Sequence, residues 1–153
     1  MKVRLNHVSV SPGAMQAMMK LEGFIKTSGL DANLYELIKI RASQINGCAY
    51  CLDMHTRDSR KMGETEQRIY LLSAWREAPF YSDKERVVLE LTEAVTRISE
   101  QGVPQDLYER VRAHVDEAEY VTIIMAINTI NAWNRIAIST GMFPEEHQPA
   151  AHQ

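Results

Sequence analysis

Residues 31–63 read DANLYELIKIRASQINGCAYCLDMHTRDSRKMG, and their spacing predicts two helices joined by a sharp turn. In the first, Leu34, Ile38, Ala42 and Ile45 recur at helical intervals, with Asp31 or Asn33 as the N-cap. Asn46-Gly47 ends it, because glycine readily takes the left-handed conformation found just past a helix end. The second helix starts at about Cys48 and runs to Met62, with Gly63 as its terminator.

The same punctuation extends outward in both directions, and strand signals are nearly absent. Ser11-Pro12 reads as an N-cap followed by proline at the first helical position. The helix it opens runs to about Thr27 and carries Met15, Met18, Met19, Phe24 and Ile25, with the methionines read as core filler. Thr65 opens a helix bearing Ile69, Leu72 and Trp75 that stops before Pro79. Ser82-Asp83-Lys84-Glu85 fits a capping box, and Val87, Val88, Leu91, Val95 and Ile98 follow on one stripe. Gly102 and Pro104 lead into a short helix over 104–114, with Leu107 and Val111 inward. Asp116, Glu117 and Glu119 favour the positive end of a last helix that runs to about Thr140.

In that helix Ile123, Ile124, Ile127, Ile130, Trp133 and Ile136 cover more than one stripe. Either it is a central core helix, or one side meets another subunit. The expected fold is all-α: a single-domain helical bundle of about six to seven helices over residues 1–140. Residues 141–153 hold two prolines and no apolar period, so they read as a tail.

Composition narrows the function classes. The chain has 153 residues, 45% hydrophobic and 24% charged, which is ordinary for a soluble globular domain. Seventeen basic against 20 acidic residues leave a net charge of −3, without the basic cluster that nucleic-acid binding needs. Apolar runs such as Ile123–Ile127 fall short of the ~20 residues of a membrane span. The first seven residues lack the apolar core of a signal peptide. The expectation is a soluble cytoplasmic protein without nucleic-acid or membrane partners.

Two cysteines, Cys48 and Cys51, are the unusual feature. A secreted disulfide framework would need more of them, so a close pair points to redox or metal chemistry. At about 100° per residue, Cys48, Cys51 and His55 share one helical face. Neighbours three and four apart have Cβ atoms about 5–6 Å from each other, close to what a disulfide tolerates. Cys48 sits in the first turn, where free N–H groups and the helix dipole favour thiolate. His55, one turn beyond Cys51, can take a proton or stabilise a thiolate.

Plainer readings exist for each residue. The cysteines could be a buried structural pair with a surface histidine, and Tyr50 between them a packing aromatic or a proton-bearing phenol. A structural zinc site prefers four ligands, and His7, His114, His147 and His152 fall in unrelated contexts. Asp53 and Asp58 are expected to face solvent. Glu36 lies off the apolar stripe of its helix, and by position alone would be an exposed glutamate.

Glu36, eleven residues, Cys48-x-Tyr50-Cys51, three residues, then His55: this pattern resembles the alkylhydroperoxidase D-like branch of the carboxymuconolactone decarboxylase superfamily. Leu37 to Gly47 and Ile130-Asn131-Ala132-Trp133-Asn134-Arg135 resemble it too, and the likeness extends over residues 12–140. The resemblance implies an all-helical fold assembled as trimers or higher multiples. It places a proton-relay glutamate at Glu36, redox cysteines at Cys48 and Cys51, and a relay histidine at His55. Tyr50 fills a place that some peroxidase members give to histidine. The decarboxylase branch generally lacks the cysteine pair, so decarboxylation is disfavoured.

The expected function is therefore a thiol-dependent peroxidase that reduces hydrogen peroxide or an organic hydroperoxide. Helix position nominates Cys48 as nucleophile; the resemblance nominates Cys51, with Cys48 nearer solvent and resolving. No flavin, haem or nucleotide motif is present, so no cofactor is expected and an external dithiol or partner redox protein must supply electrons. The alternatives are a disulfide reductase adaptor for a partner peroxidase and a non-enzymatic oligomeric redox sensor.

Overall fold

Capping starts and stops the central pair of helices where the sequence places the breaks. The carboxylate of Asp31 accepts the N–H of Leu34 at 2.8 Å and opens α3 (Ala32–Asn46). Gly47 ends it at φ 69°, a conformation that costs a glycine no Cβ clash. The chain turns at once into α4 (Ala49–Lys61), with Cys48 as its N-cap residue. In the computed structural model, which describes residues 1–144, the earlier helices are α1 (His7–Val10) and α2 (Pro12–Thr27). The later ones are α5 (Glu66–Tyr70), α6 (Asp83–Thr96), α7 (Ile98–Gln101), α8 (Gln105–Arg112) and α9 (Glu117–Thr140). The fold of the described residues is all-helical; α1 and α7, each a single turn, are elements the sequence does not announce.

α3 is the centre of the packing and lies against α4, α6 and α9. Its Leu34, Ile38 and Ala42 join Val88 and Leu91 of α6, Val111 of α8, and Ile123, Ile127 and Ile130 of α9. A second face, Leu37 and Ile40, joins Leu72, Trp75 and Leu89. Each fully buried Leu or Ile contributes about 1.5–3 kcal/mol relative to an exposed one. With apolar partners on two faces, every residue from Leu34 to Ile40 is buried, Glu36 and Lys39 included. α9 touches α2, α3, α4, α6 and α8, which accounts for its many-sided apolar pattern as a central helix.

A buried amide network ties the end of α3 to α9. Asn46 donates to the Oδ1 atoms of Asn131 and Asn134 at 3.0 and 2.9 Å, and Asn134 donates to Ser43 at 2.9 Å. These bonds fix the turn directly before the cysteines.

Several elements differ from expectation. The helix predicted from Thr65 to Pro79 is broken: α5 ends at Tyr70, and Leu72–Ala74 form a 3-10 turn. Breaking it lets both Leu72 and Trp75 enter the second cluster, and Arg68 donates across the bend to Glu85 and to the Phe80 carbonyl. The Ser82–Glu85 capping box forms, but α6 stops at Thr96, which Asn131 holds from α9 at 3.0 Å. Ile98 lies beyond that stop and is exposed, off the stripe assigned to it.

α2 sits at the edge of the bundle against α1 and α9, so among its residues only Glu22 and Ile25 are buried. Met19 and Phe24 are exposed, and the methionine face is not core. Pro12 opens α2, yet the Ser11 side chain makes no capping bond. Of the expected tail, Gly141 caps α9 and Met142 folds back against the cysteines. Residues 145–153, with His147 and His152, lie outside the described residues.

Candidate active site

The turn at Asn46-Gly47 delivers both cysteines to the junction of α3, α4 and α9. They are joined as a disulfide with Cα atoms 5.4 Å apart, and the N–H of Cys51 donates to the Cys48 sulfur at 3.4 Å. Ala137 of α9 packs on the pair, with Tyr50 and Met142 alongside. Both cysteines are buried, Cys48 at 1% exposure and Cys51 at 2%. Cys48 is therefore not the nearer to solvent: as N-cap residue it is pressed into the helix junction, whereas Cys51 lines a cavity.

That cavity holds about 850 Å³. Its apolar wall includes Leu5, Met19, Met54, Trp133, Ile136 and Met142, and its polar groups include Glu36, Lys39, Tyr50 and His55. The N-terminal segment forms part of the wall because α9 holds it. The N–H groups of Arg4 and Leu5 donate to the Thr140 carbonyl at 2.9 and 3.3 Å. His7, read from sequence as unrelated to the site, pairs with the Thr140 hydroxyl at 3.2 Å and lines the cavity.

Glu36 is buried at 7% exposure, because its helix is covered on this face as well as on the apolar stripe. Its Oε2 lies 3.1 Å from Nδ1 of His55, and its Oε1 lies 2.5 Å from Nζ of Lys39. Burial alone would raise the Glu36 carboxyl, but the bonds from His55 and Lys39 outweigh it and hold the group below the usual carboxylate range. The Lys39 ammonium also stands 4.0 Å from the centroid of the Tyr35 ring. Burial, with Glu22 and Glu36 nearby, pushes the Tyr35 phenol upward. Its hydroxyl donates to Glu22 at 2.8 Å, and the indole of Trp133 donates to the other Glu22 oxygen at 3.0 Å.

Glu36, Tyr50, Cys51 and His55 thus face one cavity, with Cys48 bonded behind it. Lys39 and Glu22 were missed. The available signal for Lys39 was its place three residues after Glu36, where opposite charges meet on a helix. Nothing in the local pattern of α2 marks Glu22. Asp53 and Asp58 are partly exposed and sit in surface ion pairs with Arg57 and Lys61. Among the described residues no group of three or more His, Cys, Asp or Glu side chains is placed to hold a metal ion.

Known proteins share this architecture. The model of the carboxymuconolactone decarboxylase family matches residues 12–94. The uncharacterized protein YdfG of Bacillus subtilis is 52% identical over 141 residues, covering 92% of this chain and 96% of its own. The alkyl hydroperoxide reductase AhpD of Solibacter usitatus is 34% identical over 68 residues, 43% of this chain and 38% of that one. A crystal structure from Agrobacterium tumefaciens is of a protein of unknown function, with a suggested AhpD-type role in antioxidant defence. It has a TM-score of 0.91 at 48% identity, covering 95% of this chain and all of its own. The chain is an alkylhydroperoxidase D-like member of the carboxymuconolactone decarboxylase family.

Proposed function

We propose that this protein is a thiol-dependent peroxidase that reduces hydrogen peroxide or organic hydroperoxides through a Cys48/Cys51 dithiol–disulfide cycle. The observation that carries the reading is a disulfide whose Cys51 lines a cavity beside a buried Glu36–His55 pair. A free thiol, with a pKa near ~8.5, is mostly neutral at pH 7, and attack on peroxide requires thiolate. His55 accepts the Cys51 proton, and Glu36 orients the imidazole and balances its charge. The Cys51 thiolate attacks the terminal peroxide oxygen and the O–O bond breaks. The alcohol, or water, leaves with a proton, and Cys51 becomes a sulfenic acid. The Cys48 thiol then condenses with it, releasing water and forming the disulfide.

An external dithiol resets the pair by exchange and is itself oxidised. A reducing compartment such as the cytoplasm suits that cycle. An apolar-walled cavity of about 850 Å³ is far larger than hydrogen peroxide requires, which favours organic hydroperoxides. Self-association as a trimer or hexamer belongs to the same reading. Exposed Val8, Val10, Met19 and Phe24 along α1 and α2 support it.

The test is peroxide consumption by purified protein with several dithiols, repeated with Cys51→Ser. Rapid loss of an organic hydroperoxide that Cys51→Ser abolishes is the expected result. Fast dithiol–disulfide exchange without peroxide loss would assign an adaptor role instead. Slow oxidation that changes only the assembly would assign a sensor.

A further inference from the structure

The Glu36 carboxylate has two partners, Lys39 and His55, and Lys39 has no part in the cycle above. Lys39 is 4% exposed, its Nζ sits 2.5 Å from Glu36 Oε1, and the residue lines the same cavity as Cys51. A buried ion pair is a poor source of stability, since removing both charges from water offsets most of their attraction. An apolar side chain would fill this place in the core more cheaply, so the lysine calls for another explanation.

We propose that Lys39 is a positioning residue of the thiol site: it claims one oxygen of Glu36, holds the group as a carboxylate, and turns the other oxygen to His55. The inference rests on the relay reading of Glu36 and His55. The charged and titratable groups around Glu36 are few. Lys39 and Tyr35 face it from α3 and His55 from α4, while Glu22 of α2 reaches Tyr35 from the far side. Tyr50, Cys51 and Asp58 of α4, Lys26 of α2, and Arg4 and His7 of the N-terminal segment line the same cavity. Both the hydrogen bond and the charge of Lys39 lower the Glu36 carboxyl, against a burial that raises it. Without Lys39 the carboxyl takes up a proton at higher pH. The oxygen facing His55 is then held less firmly in place and in charge, so the imidazolium is less well balanced and the thiol it serves ionises at higher pH.

The experiment measures iodoacetamide alkylation of the reduced protein as a function of pH, a readout that needs no peroxide activity. The variants are Lys39→Met, Lys39→Gln, Lys39→Arg, Glu36→Gln and the Glu36→Gln/Lys39→Met double mutant, each checked for helix content. Lys39→Met and Lys39→Gln should move the acid limb of the Cys51 profile up by about one pH unit, roughly tenfold slower at a fixed pH on that limb. Lys39→Arg should keep the wild-type limb. In the Glu36→Gln background Lys39→Met should add no further shift, because the effect passes through that carboxyl.

An unchanged limb in folded Lys39→Gln, or an equal shift with and without Glu36, overturns the proposal. If Lys39→Met does not fold, Lys39→Gln and Lys39→Arg decide it, since the pair differs in charge while both keep a donor. Should Glu36→Gln itself leave the profile unchanged, the relay reading fails first, and the lysine inference falls with it.

Discussion

Nδ1 of His55 lies 3.1 Å from Oε2 of Glu36, a contact between residues nineteen positions apart on two different helices. The tight turn at Gly47 makes it, by laying α4 back along α3. Cys51 is on the same face of α4 as His55, one turn earlier. In the proposed cycle a proton leaving the thiol has a base on its own helix and a balancing charge on the preceding one.

Replacing His55 by alanine should slow oxidation of the reduced protein by a hydroperoxide by roughly 10²–10⁴-fold, the usual contribution of general acid–base catalysis. Glu36→Gln should slow it in the same direction and also leave Lys39 without its anionic partner. Stopped-flow rates from pH 6 to 9 measure both. Wild-type rates in folded variants would leave the helix N-terminus to activate the thiol, with Cys48 as nucleophile.

Acid stability should depend on Glu36 and Glu93. Burial would raise Glu93, but bonds from Trp75, Arg76 and Arg41 at 2.7–2.8 Å outweigh it and hold the carboxyl low. A carboxyl lowered on folding stabilises the native state above its unfolded pKa, near ~4.3, and that stabilisation is lost as pH falls through the folded value. Tm should be nearly flat above pH ~5 and fall steeply below it. Glu93→Gln should lower Tm at pH 7 and flatten the acid slope; an unaltered slope would exclude Glu93 as a contributor.

Asn134→Ala should destabilise the fold by about 1–3 kcal/mol for each buried polar group it leaves unpaired. Ser43 loses its donor, and Asn46 loses one of its two acceptors. Urea unfolding gives the value. A change below about 0.5 kcal/mol, the range of neutral surface substitutions, would mean that the network relaxes without cost.

Mild peroxide treatment of reduced protein should remove two hydrogen atoms within a peptide containing both Cys48 and Cys51, and dithiothreitol should restore them. Intact and peptide mass spectrometry separates this from intermolecular linkage, which the buried position of both sulfurs disfavours.

Light scattering at micromolar concentration should return the mass of a trimer or hexamer of the 17.5 kDa chain. Closed assemblies follow from repeating one head-to-tail interface. A single-chain mass would mean that the apolar side chains of α1 and α2 stay in water.

Local chemistry was enough for much of this protein. Asp31, Gly47, the Ser82–Glu85 box and Gly141 each act within a few residues of themselves, so helix ends were legible wherever such a group bonds its own turn. The Cys51–His55 face was legible for the same reason, being set by the pitch of one helix, with Cys48 bonded to it from the N-cap. Tertiary packing decided the rest. Thr65 caps α5 as expected, yet α5 ends early because Leu72 and Trp75 must both reach Leu37 and Ile40 of α3, which no local rule foresees. Met19 and Phe24 look like core and are exposed because, among the described residues, no element covers them. Glu36 looks like a surface residue when α3 is read as a one-striped helix. It becomes a buried carboxylate bonded to His55 and Lys39 because α4 and α6 also cover that helix. Burial depends on what arrives from elsewhere in the chain, and a helix cannot carry that information in its own spacing.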